Sequence, residues 1–341
     1  MRKIVKDIII QGFGSIAIGI LFYIVVKSLF LAVIIILVLL FIVMIKPAFI
    51  ILNKLTKRTS WYNKKIGDTI KFRKTIRRNL DICNLGSTSG KYAFDYNNTG
   101  LKGENWALSP QTLSYDFRIL KNYFSYLKDG ATVLMPLCPL SFCKKDYEDD
   151  LYNTKYYSFL HPVLIQNYSK KTKQKVMRFV NTPFHFSPIK SIVRIIKDIP
   201  ATGNLTINNV EKDVEKLINS WKKEFCISDL EAPVSDINLK CIIYNTNLLS
   251  EMISFCLERN LKPVIIIPPV TKMLGSNLTK KFRENYIYSI LKKVNTDQIV
   301  FLNYLDDERF ADLNLYFNSY FLNKKGQKLF TNIVLRDLKL I

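Results

Sequence analysis

Hydrophobic residues along this chain follow two different patterns. From Ile8 to Leu52 nearly every position is apolar, and such a run is long enough for two membrane crossings because one crossing needs about 20 residues. After residue 78, short apolar segments alternate with longer segments in which apolar residues recur every three or four positions. This alternation predicts strands followed by helices, and therefore a mostly parallel sheet covered on both faces.

The predicted elements share a regular order along the second part of the chain. The predicted strands are 80–85, 105–108, 131–137, 263–267 and 299–302. The predicted helices are 109–128, 208–225, 237–259, 278–294 and 324–340. Ser109 as an N-cap, followed by Pro110 in the first turn, predicts where the first of these helices begins.

Three regions follow from these patterns. Residues 1–53 form a membrane anchor, residues 54–78 a basic linker or surface helix, and residues 79–341 an α/β domain. About 260 residues are ample for one such core. Residues 138–203, rich in Tyr, Phe, Lys and Pro, interrupt the alternation after the third strand. We interpret them as an insertion over the carboxyl edge of the sheet, which forms a lid or a partner surface.

Charged residues bear on the topology of the anchor. Lys27-Ser28 lies in the middle of the apolar run, and Lys and Arg are frequent on both of its flanks. A Lys costs little at a hairpin turn but a few kcal/mol at the centre of a span. The positive-inside rule therefore favours a hairpin of two spans with both ends, and the large domain, in the cytoplasm. The alternative is a single tilted span with an interfacial first segment, which would place the domain outside.

Overall composition limits which partners and cofactors are expected. Fifty Lys and Arg against 28 Asp and Glu give a formal charge of +22, which suits a lipid bilayer with anionic headgroups or a nucleic acid. The basic residues are dispersed and form no ordered aromatic–basic motif, so no nucleic acid partner is predicted. The six cysteines form no CxxC pair and have no His at ligand spacing. Neither a metal, a cofactor nor a disulfide framework is expected.

Candidate chemistry begins at the end of the first predicted strand, where the chain reads Asn84-Leu85-Gly86-Ser87-Thr88-Ser89-Gly90. A strand that ends in a turn of small residues lies at the carboxyl edge of a parallel sheet, where ligands bind. Such a turn suits a nucleophile that stands clear of the backbone and amide groups that approach an oxyanion. Ser87, Thr88 and Ser89 are therefore candidate catalytic residues.

A second segment, Leu322-Asn323-Lys324-Lys325-Gly326, precedes the last predicted helix. Its sequence matches the Leu-Asn-x-x-Gly that commonly continues the Asp-x-x-His pair of SGNH/GDSL-type esterases and acyltransferases. With Gly86-Ser87-Thr88 at the position of that family's Gly-Asp-Ser, residues 78–341 resemble a membrane-anchored SGNH domain. The resemblance implies a flavodoxin-like three-layer α/β sandwich and an association with esters of cell-surface polysaccharides.

The resemblance fails at the catalytic positions. Asn318 and Phe321 stand where the family has Asp and His. A phenyl ring cannot accept the nucleophile's proton, and an Asn side chain carries no charge. The match places Thr88 at the nucleophile, and a shift of one residue would offer Ser87 or Ser89. The family's oxyanion Asn has no clear counterpart in residues 135–142. Asn318 is the remaining candidate site residue of this segment.

Other groups could replace the missing ones. His161 and His185, the two histidines of the chain, lie among apolar and aromatic neighbours in the middle insertion. Asp306, Asp307, Glu308 and Asp312 lie close in sequence to the second segment and could supply a carboxylate. Geometry decides whether any of them reaches the hydroxyl groups.

Three functions remain open on the sequence. The first and favoured one is a catalytically degenerate SGNH-like protein, a pseudoenzyme that binds a carbohydrate, an acyl-carrying ligand or a membrane partner. The second is a divergent but active carbohydrate O-acyltransferase or esterase. The third is a membrane scaffold without a ligand that organises envelope-biosynthesis proteins.

Overall fold

A computed structural model describes residues 2–143, 153–197, 209–294 and 299–341. The chain divides into two compact units. The first comprises Met1–Tyr62 and Asn181–Ile199, and the second comprises Asn63–Val180 and Pro200–Ile341. A long apolar helix dominates the first unit, and a parallel sheet forms the centre of the second.

The described α-helices, in chain order, are α1 (Arg2–Thr56), α2 (Ser60–Ile66), α3 (Thr88–Lys91), α4 (Leu113–Tyr123), α5 (Lys170–Asn181), α6 (Pro183–Phe186), α7 (Pro188–Lys197), α8 (Val210–Glu224), α9 (Asp236–Leu257), α10 (Lys272–Asn277), α11 (Lys280–Arg283), α12 (Ser289–Leu291) and α13 (Lys324–Asp337). The strands are β1 (Leu80–Asn84), β2 (Gly103–Asn105), β3 (Leu127–Pro136), β4 (Lys262–Ile267) and β5 (Val300–Asn303). Shorter 3-10 and π turns connect several of them.

The first unit contains one continuous apolar helix. Within the described residues, one helical segment, Gly14–Thr56 of α1, is long and apolar enough to cross a membrane. The helix continues through Lys27 and Ser28, so the hairpin turn predicted there is not formed and the two spans are not separated. Lys is a good helix former and Ser is tolerated in a helix, so neither residue interrupts α1. The polar side chains of Lys27 and Ser28 are therefore part of the continuous helix.

The sheet of the second unit is parallel throughout. Its strand order is β2-β1-β3-β4-β5, which is one of the two common orders of doubly wound α/β folds. Four of the five predicted strands are confirmed, although β3 begins four residues before its predicted start, whereas β2 shares only Asn105 with the predicted strand 105–108. The α/β fold class with a parallel sheet is therefore established.

Side chains of the central strands are buried on both faces of this sheet. Ile82, Leu134 and Ile266 join one core cluster, which contains Phe330 and Val334 of α13. Apolar residues that alternate with them along the strands are also buried, namely Cys83, Val133, Met135, Ile265 and Ile267. Burial on both sides explains why these strands read as continuous apolar runs. Each fully buried aliphatic side chain contributes roughly 1.5–3 kcal/mol by the hydrophobic effect.

Two of the predicted helices differ most from those observed. Helix α4 begins at Leu113 with Thr112 as its N-cap, whereas the sequence pattern predicts Ser109 as the cap. The Ser109 hydroxyl is instead hydrogen-bonded to Thr88. The helix predicted over 278–294 is divided into α11, a π-helical turn and α12. A π turn is common where a helix must adjust to its neighbours, and sequence periodicity does not reveal it.

The described parts of the middle insertion fall into both units. Asn181–Ile199 belongs to the unit of the apolar helix. An earlier part packs on the sheet unit, where the Tyr156 ring stacks on Tyr115 with centroids 3.7 Å apart. Residues 144–152 and 198–208 lie outside the described residues. Residues 54–78, predicted as a basic linker or surface helix, contain the end of α1, α2 and further turns, and Ile66 and Phe72 are buried.

Candidate functional site at the carboxyl edge of the sheet

A narrow cleft lies at the carboxyl ends of β1, β3 and β4 in the second unit. Both segments singled out in the sequence contribute to it. Its space for the centre of a water molecule is about 10 Å³, which holds roughly one water. An acyl or sugar ring therefore enters only if side chains move. The lining residues are Ser89, Tyr92, Ala93, Leu137, Cys138, Pro139, Ile267, Pro268, Pro269, Val270, Tyr320, Phe321 and Leu322.

The turn after β1 depends on its two glycines. Gly86 has φ of 110°, a left-handed conformation that side chains with a Cβ rarely adopt. A Cβ on Gly90 would lie 2.4 Å from the Leu85 carbonyl oxygen and 3.2 Å from Ala107 Cβ. Glycine at these two positions therefore lets the chain turn sharply from the strand into α3. This close packing holds Ser87, Thr88 and Ser89 at the carboxyl edge.

The three candidate hydroxyl groups of this turn point to different neighbours. Ser87 Oγ accepts a hydrogen bond of 3.1 Å from the Gln111 backbone N–H. Thr88 Oγ1 lies 2.6 Å from Ser109 Oγ, and either hydroxyl can be the donor. Ser89 lines the cleft. Only the last of the three therefore lies in the cleft together with Phe321.

A buried carboxylate lies behind the turn. Asp116 Oδ1 accepts hydrogen bonds from the Gly86 backbone N–H, at 2.7 Å, and from Gln111 Nε2. Gln111 Nε2 also donates to the Gly86 carbonyl oxygen at 3.2 Å. Burial raises the pKa of Asp116 to about 7, although these two hydrogen bonds and the charge of Lys155 act in the opposite direction. The Gly86 amide, which a turn of this kind could offer to an oxyanion, is thus already occupied.

Two buried lysines lie near this network. Lys155 Nζ donates to the Pro110 carbonyl oxygen, and burial lowers the pKa of Lys155 to about 7. Lys71 Nζ donates to the Ala107 carbonyl oxygen at 2.9 Å, and burial lowers the pKa of Lys71 to about 8. Both amines bind backbone carbonyls of the segment that follows β2. Their contacts hold that segment in place and do not reach the hydroxyls of the turn.

The sequence did not indicate Asp116, Gln111, Lys155 or Lys71 as site residues. They come from separate elements, and none lies in a recognisable motif. The one signal in the sequence is the Asp116 carboxylate within an otherwise apolar helix pattern. It indicates a binding partner, because charged groups are rarely buried without one. That sign alone does not identify the partner, which here is a backbone amide.

The second segment builds the opposite wall of the cleft. Asn318 Oδ1 accepts hydrogen bonds from the backbone N–H groups of Tyr320, at 3.0 Å, and Phe321, at 2.7 Å. Asn318 therefore caps a tight turn. The Asp213 carboxylate of α8 accepts a 2.7 Å hydrogen bond from the Ser319 backbone N–H. This carboxylate, from the middle of the chain, approaches the segment but is engaged by the backbone.

The Leu-Asn-x-x-Gly motif has a structural role at every position that it specifies. Leu322 is buried. Asn323 caps α13 by accepting hydrogen bonds from the Lys325 and Gly326 amides. A Cβ on Gly326 would lie 2.2 Å from the Leu315 carbonyl oxygen. These residues thus dock the start of the last helix against the preceding turn.

Aromatic side chains surround the position of Phe321. Its ring centroid lies 4.8 Å from that of Tyr320, 5.5 Å from Tyr92 and 5.7 Å from Phe317. Trp221 adds an edge contact to Tyr320 at 5.2 Å. We call these five residues the aromatic cluster. Four members of the cluster are only half-buried, namely Tyr92, Phe317, Tyr320 and Phe321.

The hydrogen bonds of the two histidines are made to residues outside the turn that carries the candidate hydroxyls. His161 Nδ1 accepts a 3.4 Å hydrogen bond from the Val163 amide within its own turn. His185 belongs to the other unit, where its ring stacks on Phe49. Within the described residues, no imidazole or carboxylate is hydrogen-bonded to the hydroxyl of Ser87, Thr88 or Ser89. The proton acceptor that a serine nucleophile needs is therefore missing from this arrangement.

The acidic residues near the second segment are engaged elsewhere. Each forms an ion pair with a basic side chain outside the cleft. In the part of the chain that the structure describes, no cluster of His, Cys, Asp or Glu has the arrangement of a metal site. The pairs are Asp306 with Arg283, Asp307 with Arg309, Glu308 with Lys272, and Asp312 with Lys325.

What the structure establishes is a parallel-sheet α/β unit and one apolar N-terminal helix that could span a membrane. No protein-family model matches the chain, and no curated protein matches it either.

Proposed function

We propose that this chain is a membrane-anchored, SGNH-like pseudoenzyme whose carboxyl-edge cleft binds a carbohydrate or acyl-carrying ligand of cell-surface polysaccharide synthesis. One observation carries the proposal: Phe321 lines the cleft beside Ser89, in the place where the SGNH motif has its histidine. The two motifs of the resemblance thus meet at one cleft, and the side chain that would perform proton transfer is apolar. The cleft can therefore bind a ligand, but it lacks the group needed to hydrolyse an ester.

Conventional ester hydrolysis would need a proton acceptor, an orienting carboxylate and an oxyanion site. The phenyl ring of Phe321 cannot accept a proton. Asn318 is occupied by two backbone amides, and the Gly86 amide by Asp116. In the serine protease subtilisin, loss of the catalytic base alone costs roughly a million-fold in turnover. Three altered elements together favour a binding role.

The aromatic cluster favours a ligand with apolar faces. Tyr92, Phe317 and Phe321 are only half-buried, and partly exposed aromatic rings provide large contact areas with little conformational entropy to lose. The apolar C–H faces of a sugar ring, or an acyl chain, would pack on such rings. The Ser89 hydroxyl would provide a polar contact. The carbohydrate-ester association itself comes from the SGNH resemblance.

A fluorophosphonate probe tests for residual nucleophilic activity, because it reacts covalently with activated serine hydroxyls. We expect the full chain, purified in detergent, to remain unlabelled under conditions that label an active SGNH esterase. A Ser89→Ala variant is the matched control for any background. Labelling that disappears in Ser89→Ala, Ser87→Ala or Thr88→Ala would replace this proposal with an active, divergent O-acyltransferase or esterase.

That second function has one observation in its favour. Ser89 lies in the cleft, and no hydrogen bond from its hydroxyl to another described residue is present. An unengaged hydroxyl in a cleft has the freedom that a nucleophile requires, although activation would still need a base. The labelling experiment separates the two functions directly.

Ligand binding is testable through Trp221, which contacts Tyr320 of the cleft wall. We expect its fluorescence to change on titration with a panel of O-acetylated and unmodified oligosaccharides. Phe321→Ala should weaken the response by about ten-fold or more, as loss of an aromatic hot spot does. Phe124→Ala removes an aromatic ring that packs on Phe255, outside the cleft, and should leave the response unchanged. No response to any member of the panel would favour the scaffold without a ligand.

Charge indicates the orientation of the single span. Arg2, Lys3 and Lys6 precede the apolar run, whereas Lys54, Lys57, Arg58, Lys64 and Lys65 follow it closely, with further basic residues up to 78. The positive-inside rule then places the sheet unit in the cytoplasm. There it would meet membrane-bound precursors of surface polysaccharides, or the membrane proteins that synthesise them, at the inner leaflet.

A further inference from the structure

Helix α7 carries an apolar face that nothing described in its own unit covers. Ile189, Ile192, Val193 and Ile196 recur at the spacing of one helix face. Ile189 is 81% exposed and Ile196 is 73% exposed. The opposite side is anchored by Ser191, which is fully buried. In a soluble protein the apolar stripe of a helix faces the core, so the exposed apolar face of α7 is the reverse of the usual arrangement.

Contacts within the first unit hold α6 and α7 near the end of the apolar run of α1. The ring centroid of Phe49 lies 4.4 Å from His185 and 5.5 Å from Phe184. Asn53 Oδ1 accepts a 2.9 Å hydrogen bond from the Phe184 amide. These contacts flank Leu52, the last residue of the apolar run. The exposed isoleucines therefore belong to a helix that is tied to α1 where α1 leaves its apolar segment.

The charge of α7 complements a membrane surface. Lys190, Arg194 and Lys197 are exposed, and the helix contains no acidic residue. Lys190 Nζ lies 5.6 Å from the ring centroid of Trp61, and tryptophan is enriched where helices meet the headgroup region. Exposed isoleucines with basic neighbours on a short helix match the composition of helices that lie in the interface plane.

We propose that α7 is an interfacial membrane helix, with its Ile189–Ile196 face embedded at the boundary of headgroups and acyl chains and its basic side chains on anionic headgroups. A lipid surface is favoured over a protein partner because α6 and α7 are held beside the end of the one described apolar helix that could cross a membrane. This role rests on the proposed function in requiring that α1 spans the membrane. The contact of α7 with the membrane surface would be a second attachment of the chain to the bilayer, and it would limit how far α1 rotates and how deeply it lies in the bilayer.

Site-specific fluorescence in the full chain tests this contact. A Cys226→Ser background removes the exposed native cysteine. The environment-sensitive dye NBD is then attached at Ile189→Cys or Ile196→Cys, with Arg194→Cys as the control on the basic side and Leu31→Cys as the reference within α1. The proteins are reconstituted into vesicles that contain anionic phosphatidylglycerol and a nitroxide lipid, labelled either near the headgroup or at the middle of the acyl chain.

We expect dye at positions 189 and 196 to emit at shorter wavelength and to be quenched at least about two-fold more by the shallow nitroxide than dye at position 194, as an interfacial helix requires. Dye at position 31 should be quenched more by the deep nitroxide.

Water-like emission without quenching at 189 and 196, with position 31 still quenched, would overturn the interfacial helix but not the span. Short-wavelength emission without lipid quenching would overturn it in favour of a protein contact, such as a second copy. Absence of deep quenching at position 31 would overturn the span and the interfacial helix together.

Discussion

The Asp116 carboxylate accepts a 2.7 Å hydrogen bond from the Gly86 backbone amide. This contact joins the first turn of α4 to the turn that carries Ser87, Thr88 and Ser89. It occupies the amide that could have stabilised an oxyanion, and it buries a carboxyl group whose pKa is raised to about 7 by burial. The same contact thus organises the cleft and makes its stability depend on pH.

Asp116→Asn should change how stability depends on pH. Because burial raises the folded-state pKa of Asp116 from 3.8 to about 7, its contribution to stability is complete below pH 3.8 and is lost as the pH rises to 7, by about 1.4 kcal/mol per pH unit at most. Asn keeps an oxygen for the Gly86 amide but cannot ionise. We expect the melting temperature of the variant, relative to wild type, to rise between pH 4 and pH 7.

A matched control for this experiment has the opposite sign. The hydrogen bond from Lys128 holds the pKa of Asp81 below its usual value. Its contribution is present above the unfolded-state pKa and is lost as the pH falls. Asp81→Asn should therefore lose stability relative to wild type only as the pH rises toward 3.8, the usual pKa of Asp, and its difference from wild type should stay nearly flat between pH 4 and pH 7. A melting difference for Asp116→Asn that stays flat from pH 4 to pH 7 would mean that Asp116 remains ionised, with Lys155 as its counter-charge.

Gly90→Ala should destabilise the sheet unit because the added Cβ would lie 2.4 Å from the Leu85 carbonyl oxygen. Backbone cannot yield as a flexible side chain can, so we expect a loss of about 1–3 kcal/mol in unfolding free energy, the range for overpacking. Ser89→Ala, one residue earlier, removes a hydroxyl without a clash and should change stability by less than about 0.5 kcal/mol. Thermal unfolding of both variants measures the difference. Equal stability of the two variants would show that the turn is looser than this contact requires.

Asn318→Ala should also destabilise the cleft, through a different mechanism. The substitution removes the acceptor of the Tyr320 and Phe321 amides, and a half-buried amide without a partner costs about 1–2 kcal/mol. Asn318→Asp keeps an acceptor oxygen and should stay within about 0.5 kcal/mol of wild type. Thermal unfolding separates the two. If both variants were equally stable, Asn318 would not be what orders the turn.

The parts of the site that could be predicted from the sequence are those that build the fold. Gly86, Leu322 and Gly326 carry backbone or packing requirements that local sequence expresses directly. The network of Asp116 and Lys155 could not be predicted, because its members are brought together only by tertiary packing. The hairpin at Lys27 is not formed because neither Lys nor Ser ends a helix. The prediction of Ser109 as a helix cap is wrong because Thr112, three residues later, is the cap and the Ser109 hydroxyl pairs with Thr88.

The same distinction explains what the SGNH resemblance conveys. Leu322, Asn323 and Gly326, which match the motif, dock the last helix. In the proposed SGNH-like alignment, Asn318 and Phe321, which depart from the motif, stand at the positions of its Asp and His. A sequence can retain the residues that close such a cleft and lose those that perform proton transfer, because the two sets have separate physical roles.

Placing the Asp and His of the SGNH motif at positions 318 and 321 should produce reactivity if the proposed pseudoenzyme lacks only the base. In Phe321→His combined with Asn318→Asp, an imidazole would stand beside Ser89 with a carboxylate three residues before it. General-base assistance is worth about a hundred-fold or more, so we expect fluorophosphonate labelling at least about ten-fold above wild type. Labelling should depend on Ser89. Phe321→His with Asn318 unchanged is the matched control and should label less. A double variant that folds but does not label would mean that cleft geometry, and not only the base, has been lost.

Cys226 offers a native reporter of membrane orientation. It is exposed, whereas Cys83, Cys143, Cys241 and Cys256 are buried and Cys138 is half-buried. If the basic flank after the apolar run is cytoplasmic, a membrane-impermeant maleimide should not label the chain in intact cells and should label it after permeabilisation. Cys226→Ser should abolish that labelling.

A second reporter shows how many times the chain crosses the membrane. In a Cys226→Ser background, Lys3→Cys lies before the apolar run, so one span with a cytoplasmic domain requires this cysteine to be labelled in intact cells. If Cys226 is labelled in intact cells and Lys3→Cys is protected, the orientation is the opposite one. The cleft then lies outside the cell, where surface polysaccharides themselves would be accessible to it. Protection of both cysteines would require a second crossing, which the continuous helix from Arg2 to Thr56 does not provide. The two labelling patterns together therefore decide whether the ligand of the cleft is a cytoplasmic precursor or a surface product.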